Sequence, residues 1–127
     1  DENEILKNLI LIFIGGGGGS VLRFLLGRWL NTGQILPWGT WVANFVGSFI
    51  IGCVIAYTGK HENQWPMFLL AVGFCGGFTT FSGFAFENWQ FITLKSYSPL
   101  LIYSLLTVVS CIFAVFCGIL SFRYFSS

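Results

Sequence analysis

The chain has 127 residues, of which 55% are hydrophobic and 9% charged, with a formal net charge of +1 and a mean hydropathy of +0.79. A soluble domain of this length cannot cover so much apolar surface, so the composition points to an integral membrane protein forming one domain over residues 1–127. The near-neutral charge argues against a nucleic-acid partner.

Four segments are long enough to cross a bilayer, which takes about 20 apolar residues. The first covers residues 5–30. It follows the acidic start Asp1-Glu2-Asn3-Glu4 and lacks a small-residue cleavage site, so no signal peptide is expected. The glycine run from Gly15 to Gly19 would weaken an isolated helix by roughly 1 kcal/mol per glycine relative to alanine. In lipid it allows close helix packing. Arg23 lies a little past that run, either snorkelling to the interface or forming a cationic mouth that draws anions.

The second segment covers residues 38–57. Thr40, Asn44 and Ser48 fall at i, i+4, i+8, one polar stripe on one helix face. Asn44 can donate two hydrogen bonds from its amide nitrogen. The stripe either bonds a neighbouring helix or lines a path.

The third segment covers residues 65–94 and contains Gly76-Gly77-Phe78-Thr79-Thr80-Phe81-Ser82-Gly83-Phe84. Three glycines and three hydroxyls suit a lipid-facing helix poorly. Non-helical backbone in a bilayer is tolerated only when packed in protein or lining a watery cavity. The stretch therefore predicts a broken helix. Unwound backbone around residues 76–79 frees carbonyl oxygens, which suit a small hard cation such as Na⁺. Phe81 and Phe84 offer something else: the positive edge of an aromatic ring can touch an anion without a fixed charge. With Asn44 and nearby hydroxyls, that would make a path for a small anion, held firmly enough to enter and loosely enough to leave. Glu87 is the one acid well inside the spans, and Phe81, Phe84 and Glu87 or Asn88 share a face if the helix resumes. Plain helix packing is the alternative throughout.

The fourth segment covers residues 100–122 and carries Tyr103, Thr107 and Cys111 at the same i, i+4, i+8 spacing, a weaker polar stripe. All four cysteines lie in apolar segments without a CxxC spacing, as small buried hydrophobes do. His61, the one histidine, sits in a polar loop and offers no metal site.

Pro37, Pro66 and Pro99 stand at or near span starts, and Trp29, Trp38, Trp65 and Trp89 near the interfaces. Four spans put Lys7, Lys60 and Arg123 on one side, and Arg28 and Lys95, with Arg23 deeper, on the other. This balance gives almost no orientation by the positive-inside rule. Either the short loops simply hold few charges, or copies insert both ways and pair antiparallel, with a two-fold axis in the membrane plane. Small residues four apart occur in every span (Gly15/Gly19, Ser48/Gly52/Ala56, Gly73/Gly77 and Ser110/Ala114/Gly118), a pattern expected of an oligomer.

The order of these motifs, with the stretch from Gly76 to Phe84, the upstream Gly39-Thr40-Trp41-Val42-Ala43-Asn44 and Arg23 after the glycine run, resembles the Fluc (CrcB-type) fluoride channels over essentially the whole chain. The resemblance implies an all-α membrane protein of four transmembrane helices with a broken third helix, assembled in a bacterial inner membrane as an antiparallel dual-topology homodimer. It implies passive fluoride export and fluoride resistance, with a structural Na⁺ at the dimer centre on backbone oxygens of Gly76 and Thr79. Phe81, Phe84 and Asn44 take the pore positions, Ser82 and Thr40 the polar track, Arg23 the vestibule, and Glu87 the acid after the phenylalanines. Tyr103, followed by Thr107, takes the aromatic hydroxyl position of the last helix. Gly83 and Cys111 depart from the family pattern, which has hydroxyl residues there.

No ATP-binding motif or catalytic constellation is present, so an enzyme is not expected. The rival is a proton-coupled small multidrug-type exporter, also built of four short spans. That mechanism wants a membrane-embedded carboxylate in the first span, which has no acid after Glu4.

Overall fold

The computed structural model describes residues 1–127 and is all-helical. Helix α1 (Glu2–Leu30) starts at Asp1, whose carboxylate accepts the Asn3 amide at 2.7 Å. Helix α2 (Trp38–Thr58) follows a short turn. Proline at the N-cap supplies no side-chain cap, and the Asn31 carbonyl oxygen Oδ1 instead accepts the Gly39 amide at 2.6 Å, tying the end of α1 to the start of α2. A wide-turned π-helical segment (Met67–Cys75) then runs into a single turn, α3 (Gly76–Phe78). Helix α4 (Phe81–Thr93) completes that span, and α5 (Tyr97–Ser126) returns across it. The turn between them passes through Lys95, the one non-glycine residue with positive φ, at 55°.

Four stretches are long and apolar enough to cross a membrane: α1, α2, residues Met67–Thr93 together, and α5. This makes the chain a multi-pass membrane protein. Helix α2 is the most buried of them and packs against α5 on one side and against α1 and the π segment on the other.

The small residues explain how these helices approach so closely. A Cβ at Gly15 would meet the Leu69 carbonyl, one at Gly19 the Phe74 carbonyl, and one at Gly77 the Gly16 carbonyl. A Cβ at Gly52 would strike the Val115 carbonyl, and one at Gly118 the Phe49 carbonyl. These glycines therefore serve packing inside one subunit, where backbone meets backbone. Their spacing does not by itself bear on oligomer formation. Across the α2–α5 contact, the Trp41 indole donates to the Ser110 hydroxyl at 2.9 Å, and that hydroxyl in turn donates to the Leu106 carbonyl.

Candidate functional site

The site is built around two extended residues. Thr79 (φ −84°, ψ 156°) and Thr80 (φ −148°, ψ 119°) separate α3 from α4. Each threonine closes one end of the gap. The Thr79 amide and hydroxyl both donate to the Cys75 carbonyl, at 2.9 and 2.6 Å. The Thr80 hydroxyl caps α4 by accepting the Gly83 amide at 2.9 Å.

Asn44 holds the gap from α2. Its Oδ1 accepts the Thr80 amide at 2.7 Å and its Nδ2 donates to the Thr80 carbonyl at 3.2 Å. The side-chain amide thus imitates a backbone pairing partner. One consequence concerns Gly76, whose carbonyl in an uninterrupted helix would receive the Thr80 amide. That amide is turned to Asn44. The Thr79 carbonyl accepts no hydrogen bond from the chain either. The Gly77 carbonyl is treated differently: Arg23 Nε donates to it at 3.0 Å and the Ser20 hydroxyl lies at 3.5 Å.

A groove of about 330 Å³ opens beside the gap, lined among others by Asn44, Ser48, Phe81, Phe84, Thr107 and Cys111. No charged residue lines it. Phe81 is 79% exposed, and its ring centroid lies 5.8 Å from that of Phe84, tilted by 47°. Phe84 continues to Tyr103 at 5.2 Å, and Tyr103 to Phe91 at 6.1 Å, edge to face. The Thr107 hydroxyl oxygen is buried without a hydrogen-bond partner. Asn44 retains a second amide hydrogen beyond the one given to Thr80. Weak donors and ring edges, with no cation, are the chemistry of a site for a small anion that must also leave.

A second groove, of about 320 Å³, lies on the other side of Thr80 and is lined by Arg23, Arg28, Asn31, Thr40 and Gly83. It is cationic where the first is neutral. Glu87 lies outside the phenylalanine groove and lines a third one, of about 320 Å³, with Asn31, Gln34 and Gln90. Its two oxygens accept the Thr40 hydroxyl at 2.6 Å and the Tyr103 hydroxyl at 2.7 Å, joining α2, α4 and α5.

The structure brings most of the sequence candidates within one region and gives them distinct surroundings. Asn44, Phe81, Phe84, Thr79 and Thr107 line the neutral groove, Cys111 beside them. Thr40 and Arg23 line the cationic one. Tyr103 is 1% exposed and reaches the site through Phe84 and Glu87 rather than through a groove wall. Ser82 is exposed, its hydroxyl 3.1 Å from that of Thr80. Gly76 is exposed, with open space where a Cβ would stand. Thr80 was not singled out from the sequence, yet it caps α4, donates one bond to Asn44 and accepts another from it, and borders both grooves. The signal lay in its spacing: a hydroxyl three residues before Gly83, at the head of a resumed helix. Ser20 was missed as well, one turn before Arg23 on the same face.

Comparison with known proteins gives a consistent result. Residues 10–119 match the family described as CrcB-like protein, Camphor Resistance (CrcB). A "Fluoride-specific ion channel FluC" of Leptospira interrogans serogroup Icterohaemorrhagiae serovar copenhageni is 45% identical over 124 residues, covering 94% of this chain and 97% of the relative. Proteins with the same name from Gloeothece citriformis (43% over 119 residues; 90% of this chain, 95% of the relative) and Phocaeicola vulgatus (40% over 117 residues; 90% and 97%) are also similar.

Proposed function

The chain belongs to the CrcB-like family, and from this premise we propose that it is a fluoride channel, exporting F⁻ passively across a bacterial inner membrane and thereby conferring fluoride resistance. The observation that carries the reading is the groove lined by Phe81, Phe84, Asn44 and Thr107 without a fixed charge. Ring edges and single N–H or O–H donors replace part of the hydration of a small hard anion. The absence of an immobile cation keeps the ion from being trapped. The Arg23 and Arg28 groove next to it raises the local anion concentration.

The channel works as an antiparallel dual-topology homodimer whose third helix is broken at its centre. The balance of Lys and Arg between the two sides supports two-way insertion. The extended backbone of Thr79 and Thr80 supports the break. Gly76 and Thr79 would hold a structural Na⁺ shared between the two subunits. The donor set fits: the Thr80 amide is diverted from Gly76, the Thr79 carbonyl is free of hydrogen bonds, and Gly76 is exposed on the single chain. Neutral carbonyl oxygens are ligands for a hard monovalent cation, which would satisfy acceptors left unpaired within a membrane span.

Purified protein in liposomes, followed with a fluoride electrode, tests the function. Fluoride loaded inside is released on addition of an ionophore for the counter-ion, while chloride stays. Equal release of both ions, or none of fluoride, sinks the reading. Fluoride release that requires an imposed proton gradient would favour the exporter.

A further inference from the structure

We propose that Arg23 is a positioning residue for the cation site: its guanidinium claims the Gly77 carbonyl, and this keeps the backbone unwound at Thr79 and Thr80 and leaves the cation to Gly76 and Thr79. The inference rests on the cation reading above and adds to it a residue that touches no ion. Gly16, Ser20 and Arg23 fall at i, i+4, i+7, on one face of α1. Gly77 has no Cβ to meet the Gly16 carbonyl, so the two backbones touch there and the next turn of α1 lies over the Gly77 carbonyl. Ser20 and Arg23 deliver their donors to it, at 3.5 and 3.0 Å.

In an uninterrupted helix the Gly77 carbonyl would accept the Phe81 amide. Phe81 instead begins α4, where first-turn amides have no helical partner. Without Arg23 and Ser20, the Gly77 carbonyl would be left unpaired in the membrane, and rewinding the gap would be the cheapest repair. Rewinding would return the Thr80 amide to Gly76 and remove a cation ligand. A charge-assisted bond is about twice as strong as a neutral one, so Arg23 outweighs Ser20 here. Only Nε is committed to Gly77, so the outer guanidinium nitrogens remain free for the groove they line with Arg28.

The test purifies wild type, Arg23→Met, Arg23→Lys and Ser20→Ala in N-methyl-D-glucamine salts and titrates each with Na⁺ alone. Two readouts are taken: the thermal midpoint of the purified protein against Na⁺ concentration, and fluoride efflux at low and saturating Na⁺. We expect the Na⁺ midpoint of Arg23→Met to rise about tenfold or more, with efflux partly restored at saturating Na⁺. Arg23→Lys, whose ammonium can reach the same oxygen, shifts less, and Ser20→Ala less again. If Arg23→Met is too unstable to purify, the Arg23→Lys and Ser20→Ala shifts carry the test. Unchanged Na⁺ midpoints in all variants, or an equal loss of thermal stability at every Na⁺ concentration, overturn this role of Arg23 while leaving the cation reading standing. A wild-type protein indifferent to Na⁺ overturns both.

Discussion

Single residues at the gap divide their work by bond type. Phe81 is exposed on the groove and bonded to nothing, so its contribution is the ring itself. Phe81→Ile keeps an apolar side chain and removes the ring edge, and fluoride efflux should fall about tenfold or more with no loss of folded protein on size exclusion; unchanged efflux would remove Phe81 from the path. Asn44 is different because each end of its amide makes one bond to the Thr80 backbone, leaving one amide hydrogen over. Asn44→Asp keeps the acceptor for the Thr80 amide but sets a carboxylate oxygen against the Thr80 carbonyl. Stability should drop by about 1–3 kcal/mol, read as a lower unfolding midpoint, and efflux should be lost because the new charge repels an anion. Wild-type efflux from Asn44→Asp would count against any path beside this residue. The i, i+4, i+8 spacing of Thr40, Asn44 and Ser48 was legible in the chain, yet the three side chains meet different partners: Glu87, Thr80 and the Asn44 carbonyl. Spacing fixes which residues share a helix face, and the neighbouring helices determine what that face meets.

Several helix contacts here bring backbone against backbone at glycines. Gly19 is the clearest case, since any Cβ there would strike the Phe74 carbonyl and approach the Phe78 amide at 2.7 Å. Both neighbours are backbone and cannot swing aside. Gly19→Ala should therefore cost about 1–3 kcal/mol or more, seen as loss of monodisperse protein after extraction. A Gly19→Ala protein as stable as wild type would mean that α1 and the third span are not held this closely. At the other end, Lys95 adopts a left-handed conformation that an L side chain disfavours by roughly 1–2 kcal/mol. Lys95→Gly relieves this at some entropic cost, so a small rise in the thermal midpoint is expected, and a fall would place the Lys95 side chain in a contact of its own. The existence of four spans followed from hydropathy alone, and the prolines at their starts stand where expected: Pro37 and Pro66 immediately before a helix, Pro99 in the first turn of α5. The π-helical course of Met67–Cys75 was not legible, because nothing in an apolar run distinguishes one hydrogen-bond register from another.

At the scale of the whole molecule, the proposed dimer has a direct topological test. Cysteine-free protein bearing Lys60→Cys or Lys95→Cys should, in either case, be labelled by an impermeant maleimide from each side of the membrane in comparable amounts. Labelling of Lys60→Cys from one side only would exclude dual topology. Membrane residence, the number of spans and their near-neutral orientation bias are properties of composition, and composition is additive along the chain, so the sequence by itself determined them. The motifs from Gly39 to Asn44 and from Gly76 to Phe84 likewise sufficed to identify the family. The tertiary structure decided which donors meet which acceptors. That Arg23 ends on the Gly77 carbonyl, that Glu87 is shared by Thr40 and Tyr103, and that Thr80 stands between a neutral and a cationic groove all depend on residues 16 to 54 positions apart in the chain. Hydrogen bonds are directional and short, and only the packed helices bring such distant groups to about 3 Å from one another.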